Sequence, residues 1–170
     1  MTARHNLADL SIAAAITLYL DSLISQGIQV YALIGAESVK SSATLNTDQY
    51  ITDLTRNAVS ITGMFKDRVK VYEIFNEPND WAGGTTAQYQ PYWYAKLLQE
   101  VWMSVKVRDG HSTDPSWQVK ILSGPLFSHD QDTGASYMSQ VYTAGKTQLD
   151  WTNIRTTNGS YPLDGIAYHL

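Results

Sequence analysis

The sequence predicts an α/β domain with parallel strands, and three observations carry that reading. Four short apolar, β-branched runs, at residues 28–34, 69–75, 119–125 and 163–170, alternate with longer segments of helical period. The runs are apolar almost without a break, as in a parallel sheet covered on both faces by helices. The first three end abruptly in polar or Gly/Pro-containing clusters, at Gly35, Asn76 and Gly124. Strand–helix alternation of this kind implies right-handed crossovers in one sheet.

Each element has its own signal. Residues 11–26 place Ile12, Ile16, Leu20 and Leu23 on one helical face, with Ala13, Ala14 and Ala15 adding propensity and Gly27 closing the segment. Residues 28–34 follow as a short strand, and residues 35–46 are a small, polar loop. Residues 48–65 form the cleanest helix, with Ile51, Leu54, Ala58, Ile61 and Phe65 at spacings of three and four and Thr47 or Asp48 as cap. A further helix over about residues 89–108 buries Tyr94, Leu98, Val101, Trp102 and Val105, and Asp109-Gly110 ends it. After a polar connection at 111–117 comes the third strand. A shorter helix at 134–146 presents Met138, Val141 and Tyr142, residues 147–162 read as a loop, and the last strand follows.

The stretch around which the rest is arranged is Val69-Lys70-Val71-Tyr72-Glu73-Ile74-Phe75-Asn76-Glu77-Pro78-Asn79-Asp80. It reads as a buried strand that delivers one carboxylate, Glu77, to its C-terminal end. Proline has no N–H for the ladder and disfavours helical geometry in the residue before it, so Glu77 is expected in extended backbone. The C-terminal ends of parallel strands are where α/β barrels build their sites.

Composition narrows the function classes. The 170 residues suffice for one domain with a real core, and 16 acidic against 12 basic side chains give a formal charge of −4. That balance argues against nucleic acid or an anionic membrane as partner. The absence of cysteine excludes disulfides and thiolate metal sites. No apolar run approaches the ~20 residues of a membrane span, and the first residues carry no secretory signal, so a soluble chain of undetermined compartment is expected. His111, Asp114, His129, Asp130 and Asp132 lack the spacing of a metal-binding motif, and no cofactor loop is present; solvated loop residues are the reading, with no metal and no cofactor. Asn158-Gly159-Ser160 fits a glycosylation sequon, a triplet common by chance.

Asn76-Glu77-Pro78 at the end of such a strand resembles the fourth-strand signature of the clan A glycoside hydrolases, and Asn76-Glu77-Pro78-Asn79 is most similar to the family 39 and family 5 branches. These are (β/α)8 barrels that cleave β-glycosidic bonds with retention. The resemblance implies that Glu77 is the general acid/base and that Asn76 holds the sugar 2-hydroxyl. It aligns residues 30–34, 69–75, 119–123 and 165–170 with the family's third to sixth strands, making residues 1–170 a single partial barrel domain of about four parallel strands. His169 then matches a site-wall histidine at the end of the sixth strand, and Trp81 is a candidate sugar-stacking platform.

The same resemblance leaves the family's nucleophile, at the end of its seventh strand, without a counterpart here. Retention requires two carboxyl groups roughly 5–5.5 Å apart. Four strands cut from a barrel also leave two open edges and one bare apolar face. A homodimer or higher homo-oligomer is therefore expected to complete the sheet, and Glu37 of a partner copy becomes a candidate surrogate nucleophile. Two functions follow: a fragment of a retaining β-glycoside hydrolase, weakly active or inactive alone, or a non-catalytic, self-assembling carbohydrate-binding scaffold. The particular glycoside is not legible, because the loops after the first, second, seventh and eighth strands shape barrel specificity.

Overall fold

The computed structural model of the chain describes residues 3–39, 44–80, 88–127 and 133–168. The elements are α1 (Ala3–Ser25), β1 (Tyr31–Ile34), α2 (Asp48–Phe65), β2 (Val71–Ile74), α3 (Pro91–Lys106), β3 (Lys120–Ser123), α4 (Thr133–Gln148) and α5 (Trp151–Asn158), alternating as expected as far as α4. The three strands form one parallel sheet in the order β1-β2-β3, in register from Tyr31, Val71 and Lys120 to Ile34, Ile74 and Ser123. The chain is a mixed α/β protein.

Each helix is specified locally and completed by packing. Thr47 caps α2 by accepting from the Tyr50 N–H, and α2 buries Ile51, Leu54, Ala58 and Phe65. Pro91 occupies the first turn of α3, where its missing N–H costs nothing. That helix buries Tyr94, Leu97, Leu98, Val101, Trp102 and Val105 and packs between α2 and α4. At its far end His111 donates from Nδ1 to the Ser104 and Val105 carbonyls at 3.1 and 3.0 Å and stacks on Trp117. Its ring therefore closes a helix end.

The sheet departs from the expectation of two covered faces. Tyr72, Ile74, Ile34, Ile121 and Ser123 are buried, whereas Tyr31 and Leu33 on the opposite face are 59 % and 44 % exposed and Lys120 is exposed. The strand order supplies the reason. Successive right-handed crossovers that always step to the next position lay their helices on the same face.

Two elements differ from the sequence reading. The stretch 147–162, expected to be a loop, contains α5, whose Trp151 and Ile154 are buried. The expected fourth strand exists as two isolated parallel bridges, Leu122 to Gly165 and Leu126 to Tyr168. Pro125 has no N–H to give to a ladder. The Asp164 carboxylate meanwhile accepts the Ile121 N–H at 2.8 Å and pairs with Lys106 at 2.8 Å. No described helix is long and apolar enough to cross a membrane.

Candidate functional site

The candidate site lies where β2 ends. The Phe75 N–H still donates to the Ile34 carbonyl at 2.9 Å, but Phe75 itself turns left-handed, with φ 70°. Asn76 follows, exposed, and Glu77 is left-handed again at φ 46° and half-buried. The extended geometry expected for Glu77 is thus not adopted. Positive φ in a bulky aromatic and in a residue preceding proline is unfavourable, so neighbouring structure must hold both in place.

That structure is made of main-chain contacts from two loops. The Glu77 N–H donates to the Pro125 carbonyl at 3.0 Å, and the Glu77 carbonyl accepts from the Asp80 N–H at 2.9 Å. Pro78 accepts from the Tyr89 N–H at 2.9 Å. Asn79, 4 % exposed, grips Phe127 on both sides: its amide nitrogen donates to the Phe127 carbonyl at 2.6 Å and its oxygen accepts the Phe127 N–H at 2.9 Å. The two strand ends are so close that a Cβ on Gly124 would stand 1.9 Å from the Phe75 carbonyl oxygen. Only glycine fits there.

A layer of buried phenols supports the turn from below. The Tyr94 hydroxyl donates to the Ile74 carbonyl at 2.8 Å and accepts the Gly124 N–H at 2.7 Å, which ties α3 to the ends of β2 and β3 together. Tyr137 donates to the Tyr89 carbonyl at 2.7 Å, and the Tyr89 ring meets Phe75 edge-on at 5.0 Å. Burial pushes the Tyr94 phenol well above its usual range; the Gly124 N–H works against that shift and the Glu73 charge adds to it. Burial raises Tyr89 and Tyr72 in the same way. For Tyr50, burial first and the negative charge of Glu37 second push the phenol up to about 12.

Glu37 sits in a short 3-10 helix, Ala36–Ser38, directly after β1. Its carboxylate folds back on the chain, so a Cβ on Gly35 would lie 2.6 Å from Oε2. It is therefore on the rim of the strand next to β2, with its charge felt at Tyr50. Trp81 and His169 lie outside the described residues, as do His129, Asp130 and Asp132. Among the described residues no group of three His, Asp or Glu side chains gathers to hold a metal.

The sequence reading located the carboxylate and missed its supports. Asn79, Gly124 and Tyr94 fix the turn, and two of them carried a signal. Asn79 belongs to the polar cluster after the strand, and Gly124-Pro125 is the matching break after the next one. Tyr94 was legible only as a core residue, because its hydroxyl partners come from two other elements. Chemically, the arrangement offers one half-buried carboxylate on a restrained backbone, with an exposed amide beside it. Compared with protein-family models and with curated proteins, the chain has no match in either.

Proposed function

We propose that the chain is a carbohydrate-active domain of the retaining β-glycoside hydrolase type, built as part of a (β/α)8 barrel, with Glu77 as general acid/base and Asn76 holding the sugar 2-hydroxyl. One observation carries this reading. Glu77 stands at the C-terminal rim of the central strand of a sheet wound in one direction, and its backbone is held in a left-handed conformation from both adjoining loops. Strain that is over-determined by its surroundings concentrates at functional sites, and the rim is where barrel enzymes place catalytic side chains. The second carboxylate that retention needs would come from outside the strands described.

The test combines binding and turnover. A β-linked oligosaccharide titrated into the labelled protein is expected to move the amide resonances of Asn76, Glu77 and Phe127. Any hydrolysis of an aryl β-glycoside should fall by about 10²–10⁴-fold in Glu77→Gln, the usual share of a general acid/base. Resonances at the rim that stay put across a panel of β-glycans, or turnover that Glu77→Gln leaves intact, would reject the reading. The second function, a binding scaffold without turnover, is favoured by the placement of Glu37 against Gly35 and Tyr50. In that case binding survives Glu77→Gln, and Glu37→Gln changes no rate.

A further inference from the structure

Away from the rim, the end of α5 carries a reactive pair of residues. Asn158-Gly159 is the sole place in the sequence where glycine follows asparagine. The other asparagines precede Leu7, Thr47, Ala58, Glu77, Asp80 and Ile154, whose side chains crowd the backbone nitrogen beside them. Glycine leaves that nitrogen open, because it has no Cβ. In unstructured chain, the nitrogen of such a glycine attacks the side-chain amide carbon of the asparagine before it.

The folded chain sets two hydrogen bonds against that attack. Asn158 is the last residue of α5 and exposed, and Gly159 caps the helix in the left-handed conformation at φ 82°. The Gly159 N–H donates to the Arg155 carbonyl at 2.9 Å, and Asn158 Nδ2 donates to the Ile154 carbonyl at 3.0 Å. The first bond occupies the nucleophile and the second holds the leaving group. Closing a five-membered ring also requires Asn158 to leave helical ψ. We propose that Asn158 is a deamidation site guarded by the last turn of α5, and that it reacts only in molecules in which this turn has opened.

In the opened turn the Gly159 nitrogen bonds to Asn158 Cγ and loses its proton to solvent. The Cγ–Nδ2 bond breaks, and the departing nitrogen takes up a proton from solvent and leaves as ammonia. One water then opens the cyclic imide at either carbonyl, giving an aspartate or an isoaspartate at position 158. Water is the only co-reactant, and nothing is oxidised or reduced. The product removes the donor to the Ile154 carbonyl and sets a negative charge against the negative end of the α5 dipole. A turn that has reacted therefore recloses less readily, and the modification marks the molecules that have opened. The altered turn also leads directly into buried Leu163 and into Asp164, which holds the Ile121 N–H and Lys106.

Peptide mass spectrometry of the full chain in mildly alkaline buffer tests this, folded and in guanidinium, with no sugar involved. Conversion at Asn158 is expected to be about 10–100-fold slower in the folded chain, the joint effect of two hydrogen bonds of ordinary strength. Hydrogen exchange must free the same Gly159 N–H, so the retardation should match the exchange protection of that amide. Gly159→Ala is expected to slow conversion in the unfolded chain. Ile154→Ala removes a side chain, 6 % exposed, that seats α5, and should speed conversion while the circular dichroism spectrum persists. The exchange comparison uses the unmodified protein and decides the matter whether or not that variant folds. A folded chain that converts as fast as the unfolded one overturns the proposal. So does a retardation far above the Gly159 protection, which would make global unfolding the requirement, or another asparagine converting first in guanidinium.

Discussion

At Glu77 the backbone holds a left-handed conformation before a proline, which costs on the order of 1–3 kcal/mol. The cost is borne by residues that sequence inspection assigned elsewhere or not at all. Asn79→Ala removes both side-chain hydrogen bonds to the Phe127 backbone, and a loss of about 1–3 kcal/mol in urea unfolding is expected. Gly124→Ala is expected to be far worse, beyond about 4 kcal/mol or without a folded product, because the new methyl meets backbone that cannot step aside. Conversely, Glu77→Gly should match or exceed the parent in stability, since glycine accepts positive φ without strain. A urea midpoint that drops in this variant would show that the turn is unstrained. Expectation and structure diverged here because the proline rule is local. It describes what a dipeptide prefers, whereas hydrogen bonds to Pro125, Asp80 and Phe127, up to about 50 residues away, decide what the turn does.

Among the elements, the amphipathic helices were the legible part. The helix at Asp48–Phe65 coincides with its sequence signal, since a well-capped stripe needs no distant information to be read. α5 escaped notice because two buried side chains, Trp151 and Ile154, give too short a pattern to show a period. The expected fourth strand is apolar enough to be read as one, but a ladder also needs donors on its neighbour, and Pro125 removes one. What anchors this segment is Asp164. Asp164→Ala should speed amide exchange across residues 165–168 and cost about 1–3 kcal/mol, because the Ile121 N–H loses its acceptor and Lys106 its partner. Exchange rates unchanged from the parent would mean that the bridges hold without it.

On the scale of the molecule, among the described residues all strand steps go one way, and the sheet keeps one face under helices and the other open. Sequence periodicity shows that a residue is apolar and cannot show what covers it, so the open face was legible only as a consequence of the barrel resemblance. The buried phenols give the covered side a pH signature. Their folded pKa values lie above that of an unfolded tyrosine, about 10, because burial disfavours the phenolate. The unfolded chain therefore releases protons that the folded one retains, so this contribution is fully present below pH 10 and declines as pH rises above it. Tyr50 stops adding to the decline near pH 12, its folded value. Urea midpoints should fall from pH 10 upward, and absorbance titration should show phenolate appearing together with unfolding. A flat profile to pH 11.5 would contradict the burial of these rings.

The Asn79 grip and the Tyr94 bridge separate the scaffold of the rim from its chemistry. Neither uses the side chains of Asn76, Glu77 or Glu37, so those three positions can be exchanged while the turn that presents them persists. Selection, natural or in a library, could then explore reactivity at these sites with little epistatic penalty from folding. Changes at Gly124, Asn79 or Tyr94 would be purged before their effect on any substrate could be sampled.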